Sequence, residues 1–366
     1  DWIIEVVVER LDIKKIVFAQ VEKHRKSGTL ITTNTSGIPI KMLIEGRSED
    51  FVKHFCGTHF FNPPRYLKLL EIIPSEKSDP AIIEFLMDYG SRFLGKKTVL
   101  CKDTPAFIAN RVGVFGIQAL FHLVKEMDLS VEEVDKLTGP AMGRPKSATF
   151  RTCDVVGLDT LIHVANGVKE NCPKDERKEV FETTDYVQHL ADNNWLGSKS
   201  GQGFYKKVKA ADGSSEILVL DVKTKEYRRQ NKVQFATLEA AKAVDALAPR
   251  TKVLYEGKDK AGDFYRKSFH SLFAYVSHRL PEISDELYRI DDALKAGFGW
   301  EIGAFETWDA VGVEKGLEGL NEAGLKAAPW IQEMLDAGVK SFYSLRDGMR
   351  QYYDVRTKSY KNIPGQ

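Results

Sequence analysis

An α/β layer followed by all-α segments is the fold class the sequence predicts, from three observations. Residues 1–103 alternate strand-like and helix-like apolar patterns, the mark of α/β layers. The character changes at Asp103-Thr104-Pro105, after which helical spacing dominates. A stretch over 134–159 is repeated over 290–314. The expected organisation is an α/β domain over 1–103, a helical domain over 104–206, a linker over 207–235 and a second helical domain over 236–366.

Each element has its own warrant. Trp2–Val8 is an apolar run that reads as a buried parallel strand. From Asp12 to Lys23, Ile13, Val17, Phe18 and Val21 recur at helical spacing. TLITT (29–33), Phe55–Phe61 and Leu67–Ile73 read as strands, with NPPR (62–65) as the turn between the last two. Pro80–Leu94 reads as a helix and Thr98–Cys101 as a short strand. Thr104 is placed to cap a helix with Pro105 at its first position. Helical patterns run to about residue 194. SKSGQGFY (198–205) and a polar stretch suited to a hairpin follow, and helical patterns resume from Ala236 to about 355. Within the repeat, Asp135, Gly143, Phe150, Thr152, Asp154 and Gly157 match Asp291, Gly299, Phe305, Thr307, Asp309 and Gly312 in order. That pattern predicts a duplicated helical domain whose copies pack on each other as a pseudo-dimer.

Composition narrows the function classes. The 366 residues carry 53 Lys and Arg against 52 Asp and Glu, a net charge of +1, which argues against a nucleic-acid binder. Apolar runs fall far short of the ~18 residues needed to span a bilayer. Cys56, Cys101, Cys153 and Cys172 show no zinc spacing, so no metal site is expected and a reducing compartment is. There is no GxGxxG after a strand, no Walker A loop, no GxSxG and no HExxH.

The densest chemistry lies in GTHFFNPPRYLKLLEII (57–73). Two strands folded back through NPPR would let His59 and Glu71 face each other. A carboxylate beside an imidazole fixes its tautomer and stabilises the imidazolium, which is how a general base is built. A core histidine beside a surface glutamate fits the same pattern equally well. NTSG (34–37) follows a parallel strand, at the sheet edge where α/β folds bind ligands. Ser36 could equally cap a helix around Ile38–Ile44. Asn110, among Phe107, Ile108 and Val112, could hold a ligand oxygen or tie its helix to a loop. Glu9 and Lys14 flank the end of the first strand. They read as solvated charges, or as contacts to a ribose or substrate.

TNTSGIPI, GTHFFNPPRYLKLLEII, DTPAFIANR and KSGQGFY together resemble the L-3-hydroxyacyl-CoA dehydrogenases of fatty-acid β-oxidation, over residues 1–206. The second helical copy resembles the duplicated C-terminal domain of large multifunctional β-oxidation proteins. The resemblance implies a partial Rossmann-type sheet and NAD-dependent oxidation of (S)-3-hydroxyacyl-CoA to 3-oxoacyl-CoA. It implies His59 as catalytic base with Glu71 as its partner, and Ser36 and Asn110 at the substrate oxygen. Glu9, Lys14 and Asn34 fall at positions near the nicotinamide ribose. It also implies an acyl-CoA substrate, with enoyl-CoA hydratase and thiolase as fused or associated partners. Bacterial cytoplasm is the expected location, with a mitochondrial or peroxisomal origin left open. Family members begin with a strand, GxGxxG and a helix, which this chain lacks. It is therefore expected to start at the fourth strand of the nucleotide domain, without the pyrophosphate-binding half, and to be inactive by itself. Two other readings stay open: an interaction module with a vestigial site, and a related NAD enzyme acting on a small hydroxy acid.

Overall fold

A computed structural model describes residues 1–209 and 213–365. They form two compact units. The first is Asp1–Arg111 with Arg279–Gly299; the second is Val112–His278 with the described residues from Trp300 onward.

The first unit is built on one sheet. Its elements are β1 (Trp2–Glu5), α1 (Leu11–His24), β2 (Leu30–Thr33), α2 (Ile40–Leu43), α3 (Glu49–Lys53), β3 (Phe55–Phe60), β4 (Leu69–Pro74), α4 (Pro80–Arg92) and β5 (Lys97–Leu100). The strands lie side by side in chain order. β1, β2 and β3 run parallel, β4 is antiparallel to β3, and β5 is parallel to β4. Side chains alternate across the sheet. Leu30, Cys56, Leu70 and Ile72 pack with Leu86 of α4 on one face. On the other, Phe55 meets Phe18 of α1 and Phe51 of α3, with ring centres 5.0 and 5.4 Å away. Gly90 lets α4 approach closely, since a Cβ there would fall 2.5 Å from Thr98 Cγ2.

Three features depart from the expected elements. β1 stops at Glu5, and Val6, Val7 and Val8 are exposed; β1 is the outer strand of the sheet, so its apolar residues are not covered on both faces. The helix expected from Pro105 begins instead at Ala109 (α5, Ala109–Glu126), because Ala106 and Phe107 take positive φ of 62° and 50°. The segment Arg279–Gly299, expected inside a second helical domain, belongs with the sheet. Its helix Leu287–Phe298 lies on β4 and β5. Lys97 pairs with Asp292 at 2.9 Å, Lys102 with Asp285 at 2.8 Å and the buried Arg111 with Glu282 at 3.0 Å.

The second unit is mainly helical but carries two small antiparallel sheets. Tyr205–Lys209, Ser215–Leu220 and Tyr227–Arg229 form one where a linker with a hairpin was expected; residues 210–212 lie outside the described residues. Tyr343–Arg346, Met349–Asp354 and Ser359–Asn362 form the other, in a stretch expected to be helical. Asp347 and Gly348, with φ of 52° and 77°, make the turn between its first two strands, as suits a tight hairpin.

The two repeated stretches make matching hydrogen bonds. Asp154 accepts from the backbone N–H groups of Phe204 and Tyr205, both at 2.9 Å. Asp309 accepts in the same way from Phe342 and Tyr343, at 2.8 and 2.9 Å. Asp221 accepts from Lys223 and Thr224 within DVKTKEY, and Asp354 from Arg356 and Thr357 within DVRTKSY. No helix among the described residues is long and apolar enough to cross a membrane.

Candidate active site

The site grows from the β3–β4 hairpin, in which His59 and Glu71 are register partners. Directly opposed residues in an antiparallel pair share a face, and here the His59 Nδ1 to Glu71 Oε2 distance is 2.7 Å. Glu71 is wholly buried and His59 is 4% exposed. The imidazole sits beside the rings of Phe61 and Phe107, at 4.8 and 5.6 Å.

The other carboxylate oxygen of Glu71 has a role the sequence did not suggest. Oε1 accepts from the backbone N–H groups of Ile108 and Ala109, at 3.1 and 2.8 Å. These groups open α5, where orphan donors and the helix dipole favour an anion. The positive φ at Ala106 and Phe107 shapes the turn that presents them. With donors converging on Glu71, Nδ1 of His59 donates to Oε2. That tautomer leaves Nε2 with its lone pair, and Nε2 makes no hydrogen bond among the described residues. The arrangement can accept a proton at Nε2 and offset the resulting charge.

A second network shapes the loop after β2. Glu9 Oε1 accepts from the Thr35 hydroxyl at 2.6 Å, from Ser36 N–H at 2.8 Å and from Gly37 N–H at 3.1 Å. Burial pushes the Glu9 carboxyl up. The Thr35 hydroxyl, the Ser36 N–H and the Lys14 ammonium outweigh that effect and hold it below the usual carboxylate range. Lys14 is 1% exposed. Its ammonium donates to both oxygens of Glu5 at 2.8 and 3.0 Å and to the Val7 carbonyl at 3.2 Å, and lies 3.3 Å from Glu9 Oε2. Glu5 also accepts from the Thr33 hydroxyl and from Val7 N–H, both at 2.6 Å. A buried charge needs partners of this kind.

The expected residues therefore take distinct places. His59 and Glu71 are in direct contact. Asn34 Oδ1 accepts from Phe60 N–H at 2.9 Å, tying the end of β3 to β2. Ser36 is half-buried and its hydroxyl makes no hydrogen bond among the described residues. It does not cap α2: Asp103 accepts from Ile40 and Lys41 N–H at 2.8 and 3.0 Å, and the Thr35 hydroxyl accepts from Ile38 N–H at 3.0 Å. Asn110 is half-buried in the first turn of α5, also without a side-chain hydrogen bond among the described residues. Lys14, read as a solvated charge or a ligand contact, is instead an internal cation, because two carboxylates enclose it. Glu9 is mostly a loop clamp through Oε1, and its Oε2 lies beside the Lys14 ammonium. Glu5 was missed, although a single carboxylate inside an apolar strand was a signal. Near this sheet edge, Ser36 Oγ and the Asn34 amide nitrogen make no hydrogen bond among the described residues.

Residues 1–104 match the family model for the 3-hydroxyacyl-CoA dehydrogenase NAD binding domain, and residues 107–207 that for its C-terminal domain. A probable 3-hydroxyacyl-CoA dehydrogenase of Caenorhabditis elegans is 34% identical over 209 residues, which is 57% of this chain and 68% of that protein. The chain belongs to the 3-hydroxyacyl-CoA dehydrogenase family. A probable 3-hydroxyacyl-CoA dehydrogenase of Bacillus subtilis is 48% identical over 354 residues, covering 97% of this chain and 44% of that relative, so the chain spans less than half of its length. The crystal structure of 3-hydroxybutyryl-CoA dehydrogenase from Escherichia coli K12 matches with a TM-score of 0.70 over 92% of this chain and 82% of that one. At 23% identity that likeness is one of fold. The NAD binding domain model matches from residue 1, which lends no support to the expectation that the pyrophosphate-binding half is missing.

Proposed function

We propose that this chain carries the site of an NAD-dependent enzyme that oxidises (S)-3-hydroxyacyl-CoA to 3-oxoacyl-CoA in fatty-acid β-oxidation. The observation that carries the reading is the 2.7 Å contact between His59 Nδ1 and Glu71 Oε2, with Oε1 anchored on the first turn of α5. When bound, NAD supplies the hydride acceptor at the nicotinamide C4.

The protein's own residues do the rest. Loss of hydride from C3 leaves positive charge there unless the hydroxyl proton departs too. His59 Nε2 takes that proton, and Glu71 offsets the imidazolium. A positioned base of this kind is worth roughly 10²–10⁴ in rate. The Ser36 hydroxyl and the Asn110 amide, both without partners among the described residues, orient the substrate oxygen. Glu9, through Oε2, and Asn34, through its amide nitrogen, hold the nicotinamide ribose. Lys14 acts as a positioning residue, keeping Glu9 ionised and in place.

The like hydrogen bonds made by Asp154 and by Asp309, and the bond from Glu301 N–H to the Gly143 carbonyl, support reading the two repeated stretches as copies paired within one chain. The dehydrogenase part is then a monomer, and light scattering at twice the chain mass would contradict that. On this reading the substrate is an acyl-CoA, the partners are enoyl-CoA hydratase and thiolase, and the setting is the cytoplasm. The deciding experiment is His59→Ala in the full-length protein. Turnover of acetoacetyl-CoA with NADH should fall by about 10²–10⁴ while the fold is kept. Near-normal turnover would overturn the assignment.

A further inference from the structure

A lone cation lies far along the chain from His59, in the second unit. Arg144 follows Gly143, in the loop after the helix Val131–Leu137. Its guanidinium carbon is 3.8 Å from the ring centre of Trp300. The Gly143 carbonyl accepts from the N–H of Glu301 at 2.8 Å. Gly143 and Gly299 are matched positions of the repeat, so Arg144 and Trp300 hold the same place in the two copies. One copy contributes the cation and the other the ring.

Both side chains are half-buried and line a small cavity. Its apolar walls come from Phe115, Leu120, Met142, Phe269 and Leu272, and its free space is about 20 Å³. Thr138 and Ser268 also line it, but their hydroxyls donate to the Val134 carbonyl at 2.8 Å and the Tyr265 carbonyl at 3.2 Å. Among the described residues Arg144 has no carboxylate partner, and its guanidinium makes no hydrogen bond. The titratable group that faces it is Tyr265, whose hydroxyl donates to the Leu137 carbonyl at 2.7 Å. Burial holds that phenol above its ordinary range, so it stays neutral.

A guanidinium keeps its proton in proteins, and an unpaired charge against apolar walls is unfavourable. The ring quadrupole of Trp300 offsets part of this. The rest calls for a negative charge. A water-sized group needs about 10–15 Å³, so the space admits one small group and no phosphate. We propose that this cavity is an anion site, in which Arg144, braced by the Trp300 ring, holds one small monovalent anion, either a halide or the carboxylate head of a short acid. Because the two side chains come from different copies of the repeat, the anion stabilises their pairing.

The test uses the full chain at constant ionic strength, with sodium gluconate replaced stepwise by chloride or by acetate. Thermal unfolding should shift upward with saturation, by roughly 5 °C, for at least one of them. The arm that responds identifies the anion. Arg144→Met, which keeps the apolar volume, should abolish the shift. Bromide should quench tryptophan emission with a saturable component that Trp300→Phe removes. A flat response to both anions overturns the proposal, and so does an equal response in Arg144→Met. If Arg144→Met does not fold, the quenching decides: loss of the saturable component in Trp300→Phe supports the site, and identical linear quenching in both proteins overturns it.

Discussion

Replacing Glu71 by Gln changes one atom and sets two sets of donors against each other. Glu71 receives donors on both oxygens: Nδ1 of His59 at 2.7 Å on Oε2, and the N–H groups of Ile108 and Ala109 at 3.1 and 2.8 Å on Oε1. A glutamine has one acceptor oxygen and one NH₂. If its oxygen stays on the helix N–H groups, the NH₂ faces Nδ1, which must then accept, and the imidazole proton moves to Nε2. The base is lost. If the amide flips, its NH₂ meets two backbone N–H groups in a buried site. Either way charge-assisted hydrogen bonds become neutral or are broken. At about 0.5–1.5 kcal/mol for each weakened bond, stability should fall by roughly 1–3 kcal/mol. Turnover should fall further, by ~10²–10⁴, because the wrong tautomer cannot take the proton. The assay is NADH oxidation with acetoacetyl-CoA in the full-length protein, alongside thermal unfolding. Turnover close to that of the unaltered protein, in a variant shown to be folded, would mean that Glu71 does not set the tautomer of a working base.

Four other variants have expected outcomes. Lys14→Met should destabilise the first unit by about 3–5 kcal/mol, since the buried Glu5 would be left as an uncompensated carboxylate; urea unfolding measures it, and a change under 1 kcal/mol would contradict the network. Asp103→Ala should destabilise by about 1 kcal/mol through loss of the α2 cap, measurable by the same unfolding, whereas Ser36→Ala should leave stability unchanged and lower turnover. Burial pushes Asp309 up to about 7 from an ordinary value of 3.8. The folded state then binds more protons than the unfolded chain between those values, so this group's contribution is full below the ordinary value and is lost as pH rises through about 7. The difference in unfolding midpoint between the unaltered protein and Asp309→Asn should therefore change between pH 5 and pH 8, in the direction of lower relative stability at pH 8; a constant difference would contradict it.

Much of the site's geometry was legible because it is local. NPPR sets a hairpin, and a hairpin sets register, so His59 and Glu71 could be paired from the sequence. The second role of Glu71 was not legible: its partners Ile108 and Ala109 are more than thirty residues away, and their N–H groups are freed only because Ala106 and Phe107 leave the helical conformation. Lys14 looked like a solvated charge because nothing near it in sequence announces that Glu5 and Glu9 converge on it. Asp347-Gly348 was a readable hairpin signal, overridden by the helical pattern before it. The placement of Leu287–Phe298 on β4 and β5 depends on non-local packing, including Gly297, where a Cβ would fall 2.8 Å from Leu69 Cδ2. No periodicity within the helix itself names that surface.

The proposed chemistry requires that His59 donate from Nδ1 to Glu71 and keep a bare Nε2 for the substrate proton. Nitrogen-15 NMR of the full-length protein labelled on the histidine rings, with His59→Ala to identify the signal, tests it directly. In the neutral ring the proton is expected on Nδ1, with none on Nε2. A proton resident on Nε2, with Nδ1 bare, would contradict it.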